Sequence, residues 1–252
     1  TRVGQPTIGN AILFMQPDAK VMREFLFRFD LDGYVAPDIT LLSSHITGDG
    51  FIDIAYQKEP DSTVWATRKD GALIGLTYER EEDVVAWHKH QLGGEGEVQS
   101  VAVIREDAQD EVWMSVKRDI NGSTVHYIEM MRQPFTNTDD HNDAFFVDSG
   151  LSYSGGPVTT LSGLDHLEGL EVAILADGAS HPPQQVVSGS ITLDYAASKV
   201  SIGLAYESVL KTTPLVPPGP KGYNTKAKLQ RPYKLFIHLD RSLGGEGRFY
   251  GS

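Results

Sequence analysis

Val64-Trp65-Ala66-Thr67-Arg68, followed by Asp70-Gly71 and then Leu73-Ile74-Gly75-Leu76-Thr77-Tyr78, reads as strand, turn and strand. The signature returns as Val112-Trp113-Met114-Ser115-Val116, Asn121-Gly122 and Val125-His126-Tyr127-Ile128, with the two tryptophans 48 positions apart. β-Branched and aromatic residues on either side of Asp-Gly or Asn-Gly mark a hairpin, because both turn positions tolerate positive φ. Another short strand pattern stands upstream of each, at 51–56 and at 98–104. Further out, residues 11–15 pair across 16–19 with residues 21–27, and Phe14 precedes Trp65 by 51 positions, which makes a third, degenerate copy. An all-strand unit repeating every 40–50 residues predicts one propeller blade per repeat.

Between the copies, Asp30-Leu31-Asp32-Gly33 supplies a turn, and residues 38–46 predict a short helix begun by an Asp38 cap. The texture changes near residue 133, where the segment 133–143 is polar and turn-prone. Beyond it come short apolar runs at 171–175, 185–187 and 190–193, with a turn at Asp177-Gly178, and then strands at 199–206 and 233–239 flanking a Pro-rich loop at 214–222. The expected fold is all-β: propeller-blade-like antiparallel sheets over 1–135, a linker at 136–156, a small β-barrel or sandwich at 157–197, and returning strands over 198–252, for which completing the blade-like sheet is one of two readings. Three blades do not close a propeller, which takes about four to eight. Either the last segment adds a blade or the chain is a piece of a longer one; the second is the expectation.

Composition removes several classes of chemistry. Without cysteine there is no disulfide, thiolate metal site or cysteine nucleophile. No run of 18 apolar residues suits a membrane-spanning helix. A formal net charge of −12 opposes tight binding to nucleic acid, which needs clustered Lys and Arg to neutralise phosphates.

Each residue set that suggests a site also has a simpler reading. His88 and His90 alternate with Lys89 and share one strand face, the spacing that brings two imidazoles to a metal, but no third ligand is close in sequence. Asp139, Asp140, His141 and Asp143 offer oxygens to Ca²⁺ and read equally as a solvated linker. Asp30 and Asp32 lack the later ligands of a Ca²⁺ loop. Ser162, Asp165 and His166 are the residue types of a triad, yet neighbours on a strand or tight turn point apart. Glu81-Glu82-Asp83 reads as a charged hairpin tip. Gly93-Gly94-Glu95-Gly96 and Gly244-Gly245-Glu246-Gly247 lack the Lys-Ser/Thr ending of a phosphate loop. Trp65, Trp87 and Trp113 read as blade packing rather than a sugar platform. No catalytic, cofactor-binding or metal residue is assigned, no cofactor is expected, and the chain is read as a non-enzyme.

Several strings resemble one family: residues 8–14, Glu24-Phe25, 32–38, 55–62, 76–80, Val85-Ala86-Trp87-His88-Lys89-His90, 100–104 and Gly163-Leu164-Asp165-His166-Leu167-Glu168-Gly169. Together they look like the carboxy-terminal part of the tail nozzle (tail tubular, or packaged-DNA stabilisation) proteins of short-tailed bacteriophages and prophages. The resemblance implies a structural virion protein of the viral tail, assembled in the bacterial cytoplasm. It implies a homo-hexamer below the portal and adaptor, in contact with other tail proteins and transiently with phage DNA, which it retains and conducts during ejection. The stretch 157–197 is also similar to a small β-barrel half-domain of ubiquitin-activating enzymes, but without cysteine or a nucleotide motif no ubiquitin chemistry follows. The competing expectation is an adhesin-like module that binds a host surface glycan through exposed aromatics.

Overall fold

The computed structural model describes residues 4–136, 138–211, 236 and 238. It is nearly all β, in four antiparallel sheets. Sheet 1 is the meander β1 (Thr7–Ile8), β2 (Ala11–Met15), β3 (Met22–Arg28) and β4 (Gly33–Val35). Sheet 2 is the meander β5 (Phe51–Gln57), β6 (Thr63–Arg68), β7 (Leu73–Glu79) and β8 (Val84–His90). Sheet 3 has three strands, β9 (Glu97–Glu106), β10 (Gln109–Ile120) and β11 (Ser123–Met130). The hairpins expected around Trp65 and Trp113 are β6–β7 and β10–β11.

Sheet 2 is covered on both faces, and its sequence alternation decides what goes where. Val64, Ala66, Ile74 and Leu76 join Leu13 and Met22 of sheet 1 in one core. Trp65 and Leu73, one pleat over, join Val98, Val101, Val112, Met114 and Val116 of sheet 3 in another. Every residue of β6 is therefore buried, as in a strand with cores on two sides. Each of the Val, Leu, Ile and Met side chains in these cores contributes about 1.5–3 kcal/mol by leaving water. The result is three sheets stacked face on face in the order 1, 2, 3.

Turn chemistry fixes the register. Asn121-Gly122 and Asp177-Gly178 have positive φ at both positions, as a two-residue hairpin connection requires, and Ser188-Gly189 does the same between Val187 and Ser190. Asp70-Gly71 departs from the expected two-residue form. Only Gly71 has positive φ (83°), its N–H bonds Arg68 O at 2.9 Å, and Arg68 N bonds Ala72 O, so the connection is four residues long. Asp70 is held instead by a two-pronged bond to the Arg68 guanidinium. The expected helix over 38–46 contracts to α1 (Ser44–Thr47), because the Asp38 carboxylate accepts from Thr40 N and Oγ1 at 2.7 and 2.6 Å and closes a local turn rather than a helix.

Sheet 4 corrects the barrel. Its order is β12 (Asp148–Ser162), β15 (Ser190–Leu204), β13 (Glu171–Ala176) and β14 (Ala179–Gln185). β12 and β14 are its two edges, and no closed barrel forms. Register shifts between Asp148 and Leu151 and between Ser154 and Thr160 bend the two 15-residue strands over a core built from Leu161, Leu164, Leu167, Ile174, Ile191 and Val200 among others. β14 carries Pro182 and Pro183, tolerable because it lies on an edge. This sheet starts inside the stretch read as a linker, and the strand expected at 199–206 is the end of β15, paired with β12 and β13 rather than with a blade.

By contacts the chain divides into Thr1–Tyr206 and Glu207–Ser252. Of the second unit, residues 207–211, 236 and 238 lie in no helix or strand. The loop expected at 214–222 lies outside the described residues, as does all but Phe236 and His238 of the strand expected at 233–239. Among the described residues, no helix is long and apolar enough to cross a membrane.

Candidate functional site

In a meander, alternate connections fall at the same end of the sheet. The connections β3–β4, β5–β6, β7–β8 and β9–β10 bring Asp30, Asp32, Glu59, Asp61, Glu81, Glu82, Asp83 and Asp107 to one end of the stack, against Lys58, Arg80, Arg28, which forks onto Asp30 at 3.0 and 2.7 Å, and Arg105, which donates to Asp107 O at 3.3 Å. That they share an end is fixed by contact: the β1–β2 turn meets Lys58 and Arg80 around one cleft, and the β5–β6 connection bonds to Asp110 at the start of β10. All but Glu59 of these carboxylates are exposed. The opposite end is milder, since the Arg68 guanidinium neutralises both Asp49 and Asp70 there; its bonds to Asp70, before any effect of burial, hold that carboxyl down at about 2.

Inside the acidic rim lies a cleft of about 320 Å³ lined by Ile8, Asn10, Tyr56, Lys58, Tyr78 and Arg80. Its floor is locked. Tyr78 donates to Glu24 Oε1 at 2.5 Å and Arg80 Nε donates to the same oxygen at 2.8 Å, with Glu24 wholly buried and its Oε2 unpartnered among the described residues. Burial first and the Glu24 carboxylate second push the Tyr78 phenol above its ordinary range, so it remains a donor.

The rim is held to sheet 3 by Asp110. Its Oδ2 accepts from Lys58 N at 2.7 Å and Glu59 N at 3.0 Å, and its backbone N donates to Glu59 O. Burial opposes its charge, but these amide bonds and Arg105 prevail and its pKa falls. Asp110→Ala is expected to cost about 2–3 kcal/mol through two orphaned N–H groups, read as a lowered denaturation midpoint with unchanged slope. A loss below about 0.5 kcal/mol would show that water replaces the carboxylate freely.

His88 and His90 do meet, on the face of sheet 2 that looks at sheet 3. Nδ1 of His88 lies 2.7 Å from Nε2 of His90, and both rings stand edge-on to Trp65, with centroids at 5.9 and 5.2 Å. Gly75 makes room: a Cβ there would lie 2.0 Å from His88 Cε1. Burial lowers both pKa values, that of His90 to about 4. Among the described residues, no group of three or more His, Asp or Glu is placed to hold a metal ion.

The loop Gly93-Gly94-Glu95-Gly96 is a junction. Gly93 O accepts from Arg118 Nη1 at 2.6 Å, and Gly93 N donates to Asp148 Oδ2 at 2.7 Å. Side chains at Gly93 and Gly96 would strike Ala205 and Arg118. Arg118, fully buried, also forks onto Glu129 at 2.6 and 2.8 Å. Sheets 2, 3 and 4 are thus tied at one buried ion pair, which sequence reading missed because Arg118 looks like any polar residue of an alternating strand.

The other candidates are placed as follows. Lys199 Nζ lies 2.7 Å from Asp143 and 3.6 Å from Asp140, binding the acidic run to β15. His166 Nε2 lies 2.8 Å from Ser149 O, while Asp165 lies against Gly189. Trp65 is buried, Trp87 donates to Ile39 O at 2.9 Å, and Trp113 faces outward with its Nε1 on Glu111. Gly244–Gly247 lies outside the described residues. No protein-family model matches the chain, and no curated protein matches it.

Proposed function

We propose that the chain is a structural protein of a phage tail nozzle, a wall segment of the tube that retains packaged DNA and conducts it during ejection. The observation that carries this reading is the acidic rim: eight carboxylates in the connections at one end of the sheet stack, against Lys58 and Arg80 there and Arg28 and Arg105 at the adjoining strand ends. A duplex carries dense negative charge, and a wall that met it with Lys and Arg would release counterions and hold it. An acidic wall repels phosphate and leaves the duplex free to slide. The net charge of −12 and the resemblance in the strings around Glu24, Tyr78 and Trp87 support the same reading. The homo-hexameric ring and its portal and adaptor neighbours follow from that resemblance.

The test has two arms. Cryo-electron microscopy of purified virions is expected to place the full-length product in the tail tube. The combined variant Glu81→Lys, Glu82→Lys, Asp83→Lys is expected to gain duplex binding that the parent lacks at ~100 mM salt, and to slow ejection when built into virions. Density on a peripheral spike, or micromolar binding of the parent to host polysaccharide, overturns the nozzle reading in favour of a glycan-binding module.

A further inference from the structure

Sheet 2 is covered on both sides, but among the described residues the stack ends on two open faces. On the outer face of sheet 1, Ile12 stands opposite Phe25 and Phe27 opposite Tyr34. Phe25 and Tyr34 stack with centroids 5.0 Å apart, and Tyr34 is 68% exposed. On the outer face of sheet 3, Trp113 lies between Ala102 and Met130, with Ile104 and Ile128 beside it; Ile128 is 70% exposed. Contiguous apolar faces of this kind mark interaction surfaces.

We propose that the outer face of sheet 3 in one copy seats on the outer face of sheet 1 in a second copy, head to tail. Continuity is the first reason. Both contacts inside the stack are sheet face on sheet face, 1 on 2 and 2 on 3, and this one prolongs the same succession. Charge is the second. The outward strand residues of sheet 3 include Glu97, Glu106, Glu111 and Asp119 against Lys117, whereas those of sheet 1 carry Arg23 and no carboxylate. Closure is the third. A heterologous contact either closes a ring or runs on as a filament, and two copies bring six blade sheets, within the range of about four to eight at which propellers close. Two identical contacts then seal a two-copy ring with both apolar faces covered, a pairing separate from the hexameric ring of the nozzle reading. This contact does not rest on the channel reading.

Sedimentation of the 252-residue chain over ~1–100 µM is expected to show monomer and dimer in mass-action balance. Tyr34→Glu on one face and Ile128→Arg on the other each raise the dissociation constant at least ~10-fold. Mixed together, the two variants re-associate one to one, because each retains the face the other lacks. A chain monomeric at ~100 µM overturns the proposal. So does a pattern in which only one variant weakens association and mixing restores nothing, the mark of a face pairing with itself. If either variant loses the parent's circular dichroism, Phe29→Glu or Ile104→Arg replaces it on the same face.

Discussion

Arg118→Met is expected to lower the unfolding free energy by about 3–5 kcal/mol. The guanidinium has no solvent exposure, and three of its nitrogens donate, two to Glu129 and one to Gly93 O. Methionine fills most of the volume but supplies no donor. Glu129 is then left charged and mostly buried, and Asp148 loses a nearby positive charge. Burial already raises the Asp148 pKa, with Gly93 N–H and Arg118 pulling it back. The discriminating measurement is the double variant Arg118→Met, Glu129→Leu. Removing both charges is expected to return most of the lost stability, because the cost lies in the uncompensated carboxylate rather than in the absence of a bonus from the pair. Guanidinium denaturation reads both. A single variant within about 1 kcal/mol of the parent would mean that water reaches the junction.

The same contrast between pattern and partner explains what the chain made legible. Strand content and the meander order followed from alternation and turn residues, because both act over a few positions; Val64-Trp65-Ala66 already assigns its side chains to two faces. The Trp-to-Trp spacing was less informative than it looked. Trp65 points into a core and Trp113 out of one, so the two tryptophans are not equivalent positions of a repeat. The small barrel or sandwich expected over 157–197 is an open sheet that reaches beyond that window, because β12 begins upstream of it, in residues of small and polar type whose strand character comes from pairing with β15. The roles of Asp110, Glu24 and Arg118 escaped notice for a different reason. Their partners lie 52, 54 and 25 positions away, and no local rule reports a contact at that range. The acidic rim was visible only piecemeal, as a charged tip at residues 81–83, until the meander order showed that the other connections share its end.

Acid is expected to loosen the stack before it unfolds the isolated strands, through His88 and His90. In the folded chain His90 titrates near 4, against 6.5 when exposed, because burial penalises its charged form and His88 beside it adds repulsion. The unfolded state therefore binds more protons between those limits, and stability falls as pH drops through that window. The contribution is complete above pH ~6.5 and gone near pH ~4. A shift of that size corresponds to an upper bound of about 3 kcal/mol, with about 2 kcal/mol more realistic for a partly accessible ring. Geometry says where the loss is felt: both rings abut Trp65, which anchors the core between sheets 2 and 3, and His88 fills the space that Gly75 leaves on the sheet. Charging both imidazoles leaves the 2.7 Å contact without an acceptor, and charging either brings a poorly hydrated cation against Trp65. The carboxylates also titrate in this range, so the comparison is with His88→Gln, His90→Gln. Parent and variant are denatured at pH ~7.5 and ~4.5, with tryptophan fluorescence reporting on Trp65. The parent is expected to lose about 2 kcal/mol more than the variant over that span, and equal losses would place the acid sensitivity in the carboxylates instead.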